Sequence, residues 1–374
     1  MDNAAILIIA LSARPFVHAA KQAGFKVTAI DGFADVHTSA LAEYIITVPF
    51  DEHGFNAGKL IEAINQLDAS RYKGFVFGSG FDAQPELLQK VAHYIPLIGN
   101  SVATVGAVKS GDVFFKALQA LNIAHPQVFK AFDAIPHTGQ LLKKSAGGCG
   151  GTHISIASLN DELSANQYFQ QYIQGCSVSL LFLANAHSIE VVGFNEQWLN
   201  STIDMPFRYG GAVSNINLPQ AIQLQLINAA EKLTLEFGLV GLNSLDAVIE
   251  GEVAYVLEVN PRLSATFDLY EVDLFNRHLQ ASVKQMSFSR SVSRNVQSAK
   301  AHTIVYALED VMISLLFDWP DWVTDIPAHQ HSAISIQRGE PICTVLARAD
   351  DADTAKQLVL ARVKMLLDMF KENT

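Results

Sequence analysis

The stretch LEVNPRLSATF, residues 257–267, sets Glu258, Asn260 and Arg262 at alternate positions. On a strand such residues share one face. The strand-like run stops at Pro261, which cannot donate to a ladder. An acid and an amide in series offer oxygen ligands of the kind Mg²⁺ takes, and a guanidinium suits a carboxylate or phosphate through paired hydrogen bonds. Asp246 lies twelve residues before Glu258. Glu250-Gly251 between them reads as a hairpin turn, which sets Asp246 nearly opposite Glu258, about two residues off direct register. Asp246, Glu258 and Asn260 then form an all-oxygen metal set. The plainer alternative is a solvated polar hairpin face. Val256, Leu257 and Val259 argue against it, because they make the strand strongly β-forming and well packed.

Two upstream segments add donors. KKSAGGCGGTH, residues 143–153, carries Gly147, Gly148, Gly150 and Gly151 after Lys143. Glycines leave backbone N–H groups free to turn toward phosphate oxygens, and Lys143 adds a cation. The spacing is not that of a Walker A loop. FQQYIQG, residues 169–175, reads as a short strand ending in a glycine turn, able to offer backbone groups and Gln170 to a flat heterocycle. Taken singly, the first reads as a plain hairpin tip and the second as an ordinary core strand.

The elements that must position these residues begin with the apolar run at 4–10, a helix through Ala23, and the strand KVTAID ending at Asp31. This is a βαβ unit of Rossmann-like kind. No G-x-G-x-x-G follows the first strand, so NAD is not expected, and Asp31 reads as a cap or ligand contact. Residues 74–81 and 95–100 suggest further parallel strands. Beyond Val108 the pattern becomes α+β. It predicts helices at 112–123, 161–169, 218–237 (closed by Gly238) and 352–371, with strands at 127–132, 188–194 and 253–259.

Bulk properties narrow the partners. A net charge of −11 over 374 residues, without a basic run, disfavours nucleic acid. Cys149, Cys176 and Cys343 fit neither a disulfide framework nor a metal site, which points to a reducing cytoplasm. The first residues read as a buried strand rather than a signal peptide, and no apolar run reaches membrane-spanning length. His153 and the other histidines lack zinc spacing. Cys149 reads as a small loop residue, Arg14 as a surface residue and Arg208 as a loop-closing one. Oligomeric state stays open, with a homodimer the commonest assembly.

Lys143 with the glycine loop, then QQYIQG, then Asp246 and EVNPR resemble, in that order, the ATP-grasp superfamily of carboxylate–amine or thiol ligases. GEPICTVLARA and MPFRYGGAV further resemble its ATP-dependent carboligase branch related to biotin carboxylase. The resemblance implies an α/β and α+β fold: a Rossmann-like pre-ATP-grasp domain at 1–107, a two-lobed ATP-grasp core at 108–285 (lobes about 108–173 and 174–285), and a small C-terminal α+β region at 286–374. It implies ATP with Mg²⁺ or Mn²⁺ as cofactors. Lys143 would reach the phosphates, Gly147, Gly148, Gly150 and Gly151 would cover them, and Gln170 with the backbone of Gln171 and Ile173 would meet adenine. Asp246, Glu258 and Asn260 would hold metal, and Arg262 would bind the activated carboxylate. The implied reaction forms an acyl-phosphate that an amine attacks, for instance joining glutamate to an amine in coenzyme assembly. Three departures stand out. Val113 replaces the usual lysine of a Gly-Asp-Lys stretch, with Lys109 or Lys116 as substitutes; Lys143-Lys144 replaces Lys-Pro; and Gln170 replaces a glutamate. A small-molecule kinase and a non-catalytic nucleotide-binding relative are the alternatives.

Overall fold

The computed structural model describes residues 5–130, 139–158, 161–270, 273–283, 288, 298–328 and 333–372. Four parallel strands open the chain, in the order Tyr44–Thr47, Lys26–Asp31, Ala5–Ala10, Tyr72–Phe77. The central Ala5–Ala10 strand is paired on both sides and covered on both faces, so it is apolar throughout. The helix Arg14–Gln22 follows directly, with Pro15 in its first turn, where a missing N–H costs nothing. Asp31 ends its strand by accepting from the N–H groups of Ala13, Phe33 and Ala34, so it is a loop cap. Residues 95–100 contribute only an isolated bridge, Phe75 with Leu97, instead of the expected strand. Asn100 there is buried and has another use. Its amide donates to Pro261 O at 3.0 Å and Asn243 Oδ1 at 2.8 Å, anchoring the end of the Glu258 strand.

The helices Val102–Lys109 and Gly111–Ala120 lead into a small antiparallel sheet, ordered Val128–Phe129, Gln167–Gln171, Leu141–Ser145, Ile154–Ile156. The helix expected at 161–169 is not formed: Tyr168 and Phe169 are buried on the Gln167–Gln171 strand, where tertiary pairing overrides local propensity. The expected strand at 127–132 is Val128–Phe129, and residues 131–132 lie outside the described residues.

A larger antiparallel sheet has eight strands, ordered Val253–Asn260, Val240–Glu250, Cys176–Asn185, Ile189–Leu199, Tyr209–Ser214, Ala299–Tyr306, Pro341–Ala349, Val323–Thr324. The C-terminal strands therefore extend the same sheet that carries the site. Helix Gln220–Phe237 lies over one part of it and ends at Gly238, whose φ of 63° supplies the left-handed C-cap. Helix Ala352–Glu372 covers the C-terminal strands. A shared core joins Ile6, Phe16 and Val17 of the first unit to Leu181, Leu183 and Phe275 of the second. Arg14, expected on the surface, is buried in the same seam. Its Nε donates to Asp325 and its Nη2 to Asp268, each at 2.6 Å, since a guanidinium can satisfy two separate carboxylates. Among the described residues no helix is long and apolar enough to cross a membrane.

Candidate active site

A cavity of about 370 Å³ opens between the small sheet, the large sheet and the loops at the C-terminal ends of the parallel strands. One wall is the hairpin Val240–Glu250 and Val253–Asn260. Asp246 pairs directly with Glu258 and Ser244 with Asn260, so the oxygen-bearing side chains share the face that lines the cavity. The expected two-residue offset is absent. Ala247 pairs with Val256 while Asp246 pairs with Glu258, leaving Leu257 as the extra residue of a bulge.

The hydrogen bonds knit this face together. Asn260 Nδ2 donates to Asp246 Oδ2 at 3.0 Å, and Gln197 Nε2 and Ser244 Oγ both donate to Asp246 Oδ1. Lys109 Nζ lies 3.1 Å from Glu258 Oε2, 2.7 Å from Asn260 Oδ1 and 3.2 Å from Asp82 Oδ1. Arg262 Nε reaches both carboxylate oxygens of Asp82 at 3.0 and 2.9 Å, its Nη1 donates to Leu263 O and its Nη2 to Asn260 Oδ1. Seven charged or amide side chains from four parts of the chain thus form one network.

The electrostatics follow from this packing. Burial opposes ionisation of Asp82, but Arg262 and Lys109 outweigh it and hold the carboxyl below the usual range. Burial likewise opposes charge on Lys109 and Glu258. For Lys109 the carboxylates of Glu258 and Asp82 win and raise it; for Glu258 the cations Lys109 and Lys144 win and lower it. Asp246 has no such partner within bonding distance. Burial and the adjacent Glu258 push it up to about 7. Burial lowers Lys144, takes His153 down to about 4 and raises Cys149, so neither His153 nor Cys149 is set up as a charged group.

The residues expected from the sequence are not all brought together. Lys143 does not line the cavity. The strand Leu141–Ser145 turns Leu142 and Lys144 inward, and Lys143 falls on the opposite face. Buried Lys144 donates instead to Gln170 Oε1 at 3.2 Å. Gly150 and Gly151 line the cavity, whereas Gly147 packs on the backbone of Asp82 and Ala83 and Gly148 on the His153 ring, where a methyl group would collide. Gln170, Gln171 and Ile173 line it, but the Gln171 N–H donates to Gln127 O and is not free for a ligand. Val113 is exposed and Lys116 is on the surface; of the two substitutes, Lys109 is the one that reaches the site. Arg208 binds Asn200 and Gly339 O and stacks on Tyr306, closing loops. Asp82 escaped the sequence reading. Its signal was its place just after a glycine turn at the carboxyl end of a parallel strand, where open sheets place ligand-facing residues.

The metal expectation meets a donor set of two carboxylates and one amide. Among the described residues no group of three or more His, Cys, Asp and Glu is arranged for a metal. The oxygens nonetheless suit a hard cation. The Lys109 ammonium, bonded to two of these three side chains, already acts as a cation there.

Residues 113–266 match the family described as the ATP-grasp domain. The chain carries an ATP-grasp domain. Over 92% of its length it is 24% identical to an uncharacterised protein of Methanocaldococcus jannaschii, covering 88% of that protein. Among solved structures it is similar to biotin carboxylase from Campylobacter jejuni, with TM-score 0.72, 14% identity, and 97% and 91% of the two chains covered. It is also similar to L-amino acid ligase from Bacillus licheniformis, with TM-score 0.69, 13% identity, and 97% of each chain covered. At these identities the likeness is one of fold, and the ATP-grasp fold is the one described above.

Proposed function

We propose that this protein is an ATP-dependent ligase that activates a small carboxylate as an acyl-phosphate and joins it to an amine. The observation that carries the reading is the shared face of Asp246, Glu258 and Asn260, in one cavity with Lys144 and Arg262. The ATP-grasp domain supports nucleotide use, and an L-amino acid ligase among the fold neighbours supports the bond type. The working division is a pre-ATP-grasp unit at 1–107, the ATP-grasp core at 108–285 and a C-terminal unit at 286–374.

In this reading Asp246, Glu258 and Asn260 would hold Mg²⁺, which when bound neutralises charge on the β- and γ-phosphates. Gly150 and Gly151 cover the phosphates and exclude water, and Lys144, not Lys143, contributes the cation from the small sheet. Arg262 binds the carboxylate being activated, because its planar fork fits two oxygens at once. Its present partner, Asp82, is itself a carboxylate, held through Nε. The carboxylate attacks the γ-phosphorus and ADP leaves; the amine then attacks the acyl carbon and phosphate leaves. Positioning and charge stabilisation are the protein's contribution.

Hydroxylamine trapping tests the reading. With MgATP and a panel of amino acids and other carboxylates, starting from glutamate, one of them gives a hydroxamate in step with ADP release. ADP release that never yields a hydroxamate or an amide points instead to phosphoryl transfer to another acceptor, and the ligase reading fails.

A further inference from the structure

Gln170 is 1% exposed and lines the cavity beside Leu142, Ile154 and Ile173, with Val248 and Leu257 contributed by the hairpin. Together these side chains make an apolar slot between the two sheets. The Gln170 amide is oriented by its neighbour. Lys144 Nζ has only donors to offer, so the oxygen Oε1 must face it, as it does at 3.2 Å. That leaves Nε2, which is buried and has no hydrogen-bond partner. A buried amide N–H without an acceptor is a costly arrangement, and in a residue that lines a cavity a ligand can supply the acceptor.

The two polar side chains at this slot therefore present donors, from Lys144 and from Gln170. On the proposed reading, on which this inference rests, the slot takes the purine of a nucleoside triphosphate. Adenine pairs the acceptor N7 with a donating 6-amino group, whereas a 6-oxopurine offers two acceptors, N7 and O6. A carboxylate at position 170 would select the amino group; the amide, which has the donor Nε2 in place of the second carboxylate oxygen, does not. We infer that Gln170 sets the base selectivity of this site, and that the site admits 6-oxopurine triphosphates on nearly equal terms with ATP.

The test compares Kd for MgATP and MgITP by titration calorimetry on the full chain, wild type and Gln170→Glu. Because the readout is a ratio within one preparation, loss of folded protein does not mimic the effect. In the wild type the two constants should agree within about tenfold, and Gln170→Glu should shift the ratio toward ATP by about tenfold or more, the scale of one mismatched buried hydrogen bond. A wild-type preference for ATP beyond that range, or a ratio unmoved by the substitution, overturns the inference while leaving the ligase reading intact. Failure of MgATP itself to bind removes both.

Discussion

Asp246 and Glu258 face each other directly across their hairpin because Leu257 is an extra residue in its strand. The bulge rotates Glu258, and Asn260 after it, onto the face that Asp246 occupies. A regular ladder from Glu250–Val253 would have set Asp246 opposite Leu257. The metal reading thus hangs on one inserted residue, and it makes Glu258 the residue to change first. Glu258→Gln keeps the shape and removes the charge. ADP release titrated with Mg²⁺ and with Mn²⁺ should fall by at least about 100-fold, more than the loss of a residue that merely supports a ligand. Unchanged turnover would remove the metal site from the argument.

Asp82 bridges Lys109 and Arg262 in a fully enclosed setting. Breaking such a cluster by removing one partner leaves buried charge uncompensated. Asp82→Ala should cost about 3–5 kcal/mol of unfolding free energy. In the double variant with Arg262→Gln the loss should be smaller than the sum of the single losses, because the charge that Asp82 neutralises is then gone. Denaturant unfolding of the single and double variants measures both.

Gly150 and Gly151 both have left-handed φ values, 65° and 74°, but their surroundings differ. A methyl group on Gly150 meets open space, while one on Gly151 would run into the Phe207 carbonyl. Gly150→Ala therefore carries only the backbone penalty, about 1–2 kcal/mol. Gly151→Ala must also lift the loop from its seat. Its KM for ATP should rise clearly above that of Gly150→Ala, and limited proteolysis within 146–153 should become faster. Equal KM values in the two variants would mean that loop docking is irrelevant to nucleotide binding.

Arg14 fixes the seam between the parallel sheet and the C-terminal strands and is not among the residues that line the cavity. Arg14→Met should lower stability by about 3 kcal/mol or more through the two stranded carboxylates, with Kd for MgATP unchanged. A large change in nucleotide affinity would instead tie this seam to the site.

Much of the architecture was legible because periodicity reports burial. The apolar run at 4–10, the helix ended by Gly238 and the polar alternation of Glu258, Asn260 and Arg262 each carried their own signal. What could not be read was face and register. Lys143 and Lys144 differ by one position, and which of them points inward is decided by pairing with Phe169 and Tyr168, far along the chain. The bulge at Leu257 leaves no local mark. Asp82 drew no notice and Arg14 read as a surface residue, because the partners that bury them, Arg262 and Asp325, are brought in only by tertiary folding.

Asp246 gives the site a pH dependence whose sign is fixed. Its folded pKa is raised from 3.8 to about 7, so the folded chain holds this proton more tightly than the unfolded one. The resulting stabilisation is complete below the unfolded value and is lost as pH rises through about 7. Asp31, raised to about 6, acts in the same sense but completes its change earlier. His153, His278 and His302, each lowered from 6.5 to about 4, act oppositely: their contribution is present above 6.5 and is lost as pH falls toward 4. Above about pH 6.5 the three histidines are still losing protons in the unfolded chain and offset Asp246, so its contribution is read by comparing the wild type with Asp246→Asn. Between about pH 6.5 and 8 the Tm of the ligand-free wild type should fall relative to that of Asp246→Asn. A metal ligand must be ionised, so the Tm increment on adding MgATP should grow over the same interval. An increment that stays constant from pH 6.5 to 8 would mean that Asp246 does not take part in holding the metal.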